Sequence, residues 1–396
     1  MEQKFDFDTL IDRRGIGSLK WDCSENELPM WVADMDFEVS PSIMKALRCR
    51  MDNGTFGYSI VPDEYRISVA SWWKRRHGIA FDPAHVVFAV GVIPALISCI
   101  RSLSNAGDFV VVQSPVYNNF YTSILNAGRR ASENKLVFDD GSYRIDFADL
   151  EDRFADQRTS LFVLCNPHNP GGAVWSRDDL ARIGELATRH NVTVISDEIH
   201  CDVMRPGARH TPFAAASETC RQVCVTLGSP SKAFNVAGLQ SAYAIVDNAC
   251  IRDRVKCGFA NDEVSEPNDF AVASTIAAYN EGEAWLDAAC VYIQDNKEYA
   301  VSAINAAECG ARALDCDSTY LIWVDCRELL AEVGCDSSAE LVRSLRSETG
   351  LILSPGDFYG TGGNGFVRMN LGTQHARVKD GVARFIEGCR AFAEQE

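Results

Sequence analysis

Lys232 lies in the run Gly228-Ser229-Pro230-Ser231-Lys232-Ala233-Phe234-Asn235, just after the apolar stretch Val223-Cys224-Val225-Thr226-Leu227. A lysine among small hydroxyl residues at the end of an apolar strand suits a Schiff-base role. Its amine condenses with a carbonyl group while nearby hydroxyls and backbone N–H groups hold a phosphate. Alone the motif is weak, because most lysines are solvated surface groups. Its weight comes from four motifs that precede it in the chain.

Gly91-Val92-Ile93-Pro94 ends a strand and opens a helix, and the free N–H groups of a helix N-terminus suit a phosphate. Ser114-Pro115-Val116-Tyr117 follows the next strand and offers Tyr117 as a ring to stack on a flat heterocycle. Asn166-Pro167-His168-Asn169-Pro170-Gly171-Gly172 is a dense turn in which Asn169 can donate to a phenolate-type oxygen. Val194-Ile195-Ser196-Asp197-Glu198-Ile199-His200 sets Asp197 just past an apolar strand, where a carboxylate keeps a ring nitrogen protonated. Each motif has an ordinary reading: strand-to-helix punctuation, a rim tyrosine, a loop, a helix N-cap. Taken in order, with Ser229, Ser231 and Lys232 closing the series, they supply the five services that pyridoxal 5'-phosphate needs. One shared cause explains five strand-end motifs better than five coincidences do.

These motifs need elements to position them. Apolar periodicity predicts a helix over 64–77, strands at Val86–Val90, Phe109–Val112, Leu161–Cys165, Val192–Ser196 and Val223–Leu227, and a helix over Asp178–His190. Strands alternating with helices predict an α/β chain with a mostly parallel sheet, whose ligands gather beyond the carboxyl ends of the strands. A long helical pattern (Ser274–Tyr279, Trp285–Ala307) leads to a smaller α+β region with strands at Tyr320–Val324, Leu351–Leu353 and Gly365–Asn370 and helices at Ser338–Ser347 and Ala376–Glu394. The expected organisation is an N-terminal segment, 1–45, packing with the small domain; a large cofactor-binding domain, 46–285; and a small C-terminal domain, 286–396.

Composition narrows the function classes. The 396 residues are 46% hydrophobic and 23% charged, ordinary for a globular protein with a sizeable core. A net charge of -17 argues against a nucleic-acid or anionic-membrane surface. The polar start MEQKFDFDTL has neither the apolar core of a signal peptide nor the look of a transit peptide. The apolar stretch 86–100 is broken by Gly91 and Pro94 and is too short for a membrane span. The 15 cysteines are scattered without a CxxC pair, and Cys220 and Cys224 have no second ligand pair nearby. They read as buried thiols in a reducing cytoplasm, with no metal site expected.

The chain resembles fold-type I pyridoxal-phosphate enzymes of the class I/II aminotransferase superfamily, and within it the MalY/PatB type of cystathionine β-lyase, or C–S lyase. The resemblance covers essentially the whole chain. Besides the lysine and aspartate motifs it rests on Ile11-Asp12-Arg13-Arg14-Gly15, Leu19-Lys20-Trp21-Asp22, Trp31-Val32-Ala33-Asp34-Met35-Asp36-Phe37, Phe56-Gly57-Tyr58, Trp73 through His77-Gly78, and Phe366-Val367-Arg368-Met369-Asn370-Leu371-Gly372. The resemblance implies a large domain with a mostly parallel sheet flanked by helices, a smaller α+β domain, and a cytoplasmic homodimer with a shared active site.

It further implies that Lys232 carries the cofactor, that Asp197 partners the pyridine nitrogen, and that Asn169 bonds the ring oxygen with Tyr117 stacked on the ring. Gly91, Val92, Ile93, Ser229 and Ser231 would hold the phosphate, joined by Tyr58 from the neighbouring subunit. Arg368, with Asn169, would clamp the substrate α-carboxylate, a task that suits a planar fork of donors. Gln240 stands where many aminotransferases carry a phosphate-facing arginine, and His200, here in the cofactor site, stands where they often carry tyrosine. Both departures fit the lyase branch. The implied reaction is β-elimination from a sulfur amino acid, with Lys232 as base and Lys232, Tyr58 or Tyr117 as proton donor to the leaving thiolate. Transamination shares every step through the carbanion and stays open at this stage, as does a regulatory role in binding a transcription regulator.

Overall fold

The computed structural model describes residues 5–394. Its main sheet has seven strands: β1 (Val86–Ala89), β2 (Phe109–Ser114), β3 (Arg130–Lys135), β4 (Thr159–Cys165), β5 (Thr193–Asp197), β6 (Cys224–Gly228) and β7 (Ala242–Ile245). Their spatial order is β1-β7-β6-β5-β4-β2-β3. Strands from β6 through β3 pair in parallel, while β7 runs against both β6 and β1. The expected mostly parallel sheet is therefore present, with one reversed strand inside it.

Burial explains which strands form where. β4 reads Thr-Ser-Leu-Phe-Val-Leu-Cys and is buried along nearly its whole length, as a strand covered on both faces must be. β3 reads Arg-Ala-Ser-Glu-Asn-Lys and gives no apolar signal, because it is the edge strand and its polar side chains suit an exposed rim. β7 has only four residues, too few for a clear alternation. Gly228 lets β7 close on β6, since a Cβ there would come within 2.6 Å of the Tyr243 ring.

Helices cover the sheet: α1 (Asp63–His77), α2 (Val92–Leu103), α3 (Arg177–Arg189) and α4 (Asp269–Glu281). A longer helix, α5 (Glu283–Ala306), leads to a four-stranded antiparallel sheet of β8 (Arg312–Ala313), β9 (Leu321–Asp325), β10 (Ser354–Pro355) and β11 (Phe366–Asn370), in the order β8-β9-β11-β10. Helices α6 (Ser338–Thr349) and α7 (His375–Ala393) pack on each other beside it. Trp285, Leu286, Ala289 and Ile293 of α5 belong to the core under the main sheet. Ala300 and Ile304 belong to a second core with Val324, Leu345 and Phe385. The cores thus meet part-way along one continuous helix.

Residues 5–40 hold only a two-residue strand, Leu28–Pro29, paired in parallel with Leu351–Ile352. A buried knot of charge organises this segment instead. Asp36 accepts from Arg13 Nη1 at 2.7 Å, Lys20 Nζ at 2.8 Å and Trp21 Nε1 at 2.8 Å, while Arg13 Nη2 holds Asp34 at 2.7 Å. Burial works against the Asp36 charge, but Lys20, by charge and hydrogen bond, outweighs it with help from Trp21 and holds the carboxyl below its usual range. Among the described residues no helix is long and apolar enough to cross a membrane. The 15 cysteines are all free thiols, and nine of them are buried.

Candidate active site

The carboxyl ends of β4, β5 and β6 and the start of α2 open into one cavity. Gly91, Val92 and Ile93 line it at the β1–α2 junction, and Tyr117 lines it after β2. Asn169 enters from the turn after β4, Asp197 and His200 from the end of β5, and Ser229, Ser231 and Lys232 from the loop after β6. Of the residues singled out from sequence, only Tyr58 and Arg368 are absent from this wall.

Local structure explains the anion cradle. Ser176, Asn248, Asn268 and Ser337 cap other helices with their own side chains. Helix α2 has Gly91 at its N-cap and no capping side chain, so its first N–H groups stay free at the cavity. Opposite them, Ser229 Oγ donates to the Ser241 carbonyl at 2.6 Å and accepts from Ser231 N–H at 3.0 Å, which braces the loop before Lys232.

Three charged groups, Asp197 and Arg368 buried and Lys232 half-buried, then lack the partners their charge calls for. Lys232, Asp197 and Arg368 form no ion pair among the described residues. Burial, then the positive charge of Arg368, pushes the Lys232 amine down to about 8. Burial pushes the Asp197 carboxyl up to about 7, although Ile199 N–H donates to it at 3.1 Å. Arg368 is 5% exposed; its Nη1 donates to Asn169 Oδ1 at 3.1 Å, its Nη2 donates to the Trp31 carbonyl at 2.8 Å, and its Nε has no partner. Because Asn169 Oδ1 is engaged, the amide N–H₂ of that residue remains available to donate. His200 is buried with Nδ1 unpartnered; burial, then Lys232 and Arg368, pushes it down to about 3, so its ring is neutral. Burial raises the Tyr117 hydroxyl, which accepts from Asn119 Nδ2 at 2.8 Å and stays protonated.

The N-terminal loop 31–37 closes the cavity through its backbone. Lys232 Nζ donates to the Ala33 carbonyl at 2.6 Å, and Tyr320 Oη donates to the same oxygen at 2.8 Å. Asn370 Nδ2 bonds the carbonyls of Val32 at 2.5 Å and Asp34 at 2.6 Å. Asn235, three residues past the lysine, accepts from Met35 N–H and donates to the Phe37 carbonyl, both at 3.0 Å. Sequence reasoning marked this loop as distinctive but gave Ala33, Asn235, Tyr320 and Asn370 no role. A carbonyl acceptor carries no side-chain signal, so Ala33 had none; Asn235 was visible within the lysine run itself. Tyr58 is fully exposed, near the exposed side chains of Phe56 and Ile60, and does not line the cavity of its own chain.

Comparison with known proteins fits this arrangement. The model for aminotransferase class I and II matches residues 26–385. The chain belongs to that family. It is 40% identical to cystathionine beta-lyase PatB of Bacillus subtilis over 96% of this chain and 98% of that protein. It is 35% identical to protein MalY of Escherichia coli, covering 98% and 99% of the two chains. The solved structure of a PLP-bound C-S lyase from Staphylococcus hominis superposes with a TM-score of 0.92 at 30% identity, covering 98% of each chain. The family's cofactor asks for a carbonyl-binding amine, a carboxylate for a ring nitrogen, donors for a phosphate and a wall for a flat ring. The unpaired Lys232 and Asp197, the uncapped α2 and Tyr117 fit those demands.

Proposed function

We propose that this protein is a pyridoxal-phosphate-dependent carbon–sulfur β-lyase, cleaving cystathionine or cysteine-type amino acids to a thiol (homocysteine or sulfide), pyruvate and ammonia. One observation carries the reading: a lysine amine with lowered proton affinity in the cavity, within electrostatic reach of an Asp197 carboxylate and an Arg368 guanidinium that have no ion pair. Bound there, the cofactor supplies an electron sink for the negative charge left at Cα. Val92 and Ile93 N–H groups with Ser229 and Ser231 hold its phosphate, and Tyr117 offers a ring to lie against its own. The Asn169 amide donates to its phenolic oxygen, and Asp197 holds the proton on its ring nitrogen.

Arg368 takes the substrate α-carboxylate and, through its bonds to Asn169 and Trp31, fixes the orientation of Cα. Lys232 Nζ removes the Cα proton; an amine pushed down to about 8 accepts and releases it near neutral pH. The same Nζ, or the Tyr117 or Tyr58 hydroxyl, protonates the departing sulfur. The Ala33 carbonyl gives the lysine a resting partner within the closed cavity. We place the protein in the cytoplasm as a homodimer in which Tyr58 reaches the neighbouring subunit's phosphate; its full exposure beside Phe56 and Ile60 supports that placement.

Purified protein incubated with L-cystathionine tests the reading, with pyruvate and free thiol assayed in the presence and absence of 2-oxoglutarate. Equal pyruvate and thiol, independent of the keto acid, is the expected result. Glutamate formed only with the keto acid would overturn it in favour of transamination. Sedimentation at low protein concentration checks the dimer.

A further inference from the structure

A second cavity lies apart from the one just described and is lined in part by His77, Cys201, Asp202, His210 and Cys290. His77 is the last residue of α1, while Cys201 and Asp202 stand in the turn after β5, just beyond Asp197. His77 Nε2, Cys201 Sγ and an Asp202 carboxylate oxygen all lie within 4.8 Å of one another. The three side chains are nearly inaccessible to solvent.

The spacing is that of metal ligands. A tetrahedral zinc ion, at about 2.3 Å from sulfur and about 2.0–2.1 Å from nitrogen or oxygen, sets its S and N ligands about 3.5 Å apart and its N and O ligands about 3.3 Å apart. Cys201 Sγ lies 3.5 Å from His77 Nε2. His77 Nε2 lies 2.8 Å from Asp202 Oδ1, a hydrogen bond that opens by about half an ångström when a metal replaces the shared proton. Trp72 Nε1 donates to both Asp202 oxygens at 3.1 Å and so orients the carboxylate from behind.

His210 supplies an independent observation. It lines this cavity, its side chain is fully buried, its Nε2 is fixed on Glu198 Oε2 at 2.7 Å, and its Nδ1 is buried with no partner. Its ring centroid is 5.5 Å from that of His77. Four arginines line the cavity: Arg76 pairs with Asp287 at 2.6 Å, Arg205 with Asp317 at 2.8 Å and Arg75 with Glu283 at 3.6 Å, while Arg209 has no ion pair among the described residues.

We propose that His77, Cys201 and Asp202 bind a divalent cation of the zinc class, with a water or, after a small shift, His210 Nδ1 in the fourth position. Binding forms the sulfur–metal bond with loss of one proton from Cys201 to solvent. His77 moves its proton from Nε2 to Nδ1, and nothing is oxidised or reduced. The ion ties the end of α1 to the turn that carries His200 and follows Asp197.

Cobalt(II) titrated into the full-length holoprotein is the test, because thiolate-bound tetrahedral cobalt has its own visible and charge-transfer absorption. One equivalent bound, displaced by zinc and raising the thermal midpoint, is the expected result. Cys201→Ser should abolish the sulfur-to-cobalt band, and both Cys201→Ser and His77→Gln should weaken binding by at least about 10-fold. Cys309→Ser, in the second core beside Ala300 and Ile304, should leave the band unchanged. A band that persists in Cys201→Ser, that disappears in Cys309→Ser, or that never forms in the parent protein overturns the site. Should His77→Gln not fold, the near-isosteric Cys201→Ser still decides.

Discussion

Two buried clusters of charge meet at the loop 31–37, and they are built in opposite ways. In the knot around Asp36 each charge has its counter-charge: Arg13 and Lys20 hold the carboxylate, Trp21 adds a hydrogen bond, and the acid is held below its usual range. At the cavity Lys232 and Asp197, with Arg368 behind its wall, are left without ion pairs, and burial drives the lysine down and the acid up. The first arrangement is complete and gives shape. The second is incomplete and calls for a ligand that brings a carbonyl, a cationic ring nitrogen and a carboxylate. Satisfied buried charge therefore marks architecture in this chain, and unsatisfied buried charge marks chemistry.

Substitutions on each side should behave accordingly. Lys232→Ala should lower kcat for thiol release by at least about 1,000-fold while leaving the urea midpoint nearly unchanged. A variant that keeps full turnover removes the assignment. Asp36→Asn should do the reverse: a loss of up to about 3 kcal/mol in urea unfolding, because Lys20 and Arg13 lose their buried counter-charge and keep only the part-exposed Asp34.

Asp197→Asn joins the two sides of the comparison through pH. Below about pH 4 the Asp197 carboxyl is protonated in the folded and unfolded chain alike. Between about 4 and 7 the folded chain of the cofactor-free protein keeps a proton that the unfolded chain has lost, so stability falls as pH rises through that window. Asparagine does not titrate, so the variant should overtake the parent in stability by a few kcal/mol towards pH 7 and match it below pH 4. Paired melting curves across that range would show a constant difference if Asp197 were already neutralised by a protein partner. The smallest effect expected is that of Arg368→Lys: a KM raised about 10-fold with little change in kcat, since an ammonium keeps the charge but loses the fork.

The cavity floor was legible in the sequence because apolar runs end at residues that do not continue a strand: Gly91, Asn166-Pro167, Ser229-Pro230. Side chains just past such stops must lie at the carboxyl edge of the sheet. The lid was not legible. Lys232 meets it through a backbone carbonyl at Ala33, and any residue offers that group. β3 was hidden by polar residues suited to an edge, and β7 by its brevity. His77 and Cys201 sit in separate motifs far apart in sequence, and only the packing of α1 against the turn after β5 brings their donor atoms together.

Trp31 and Arg368, joined by a hydrogen bond, are 337 positions apart in the chain. During synthesis the loop that carries Ala33 leaves the ribosome first, and the arginine that fastens it leaves near the end. A nascent chain that has passed Asn235 already possesses the lysine, its strand-end floor and the bonds from Lys232 and Asn235 to the cover, but it lacks those from Tyr320, Arg368 and Asn370. Maturation of this site therefore belongs to the finished polypeptide, and a truncated translation product would expose a reactive amine that the complete molecule keeps enclosed.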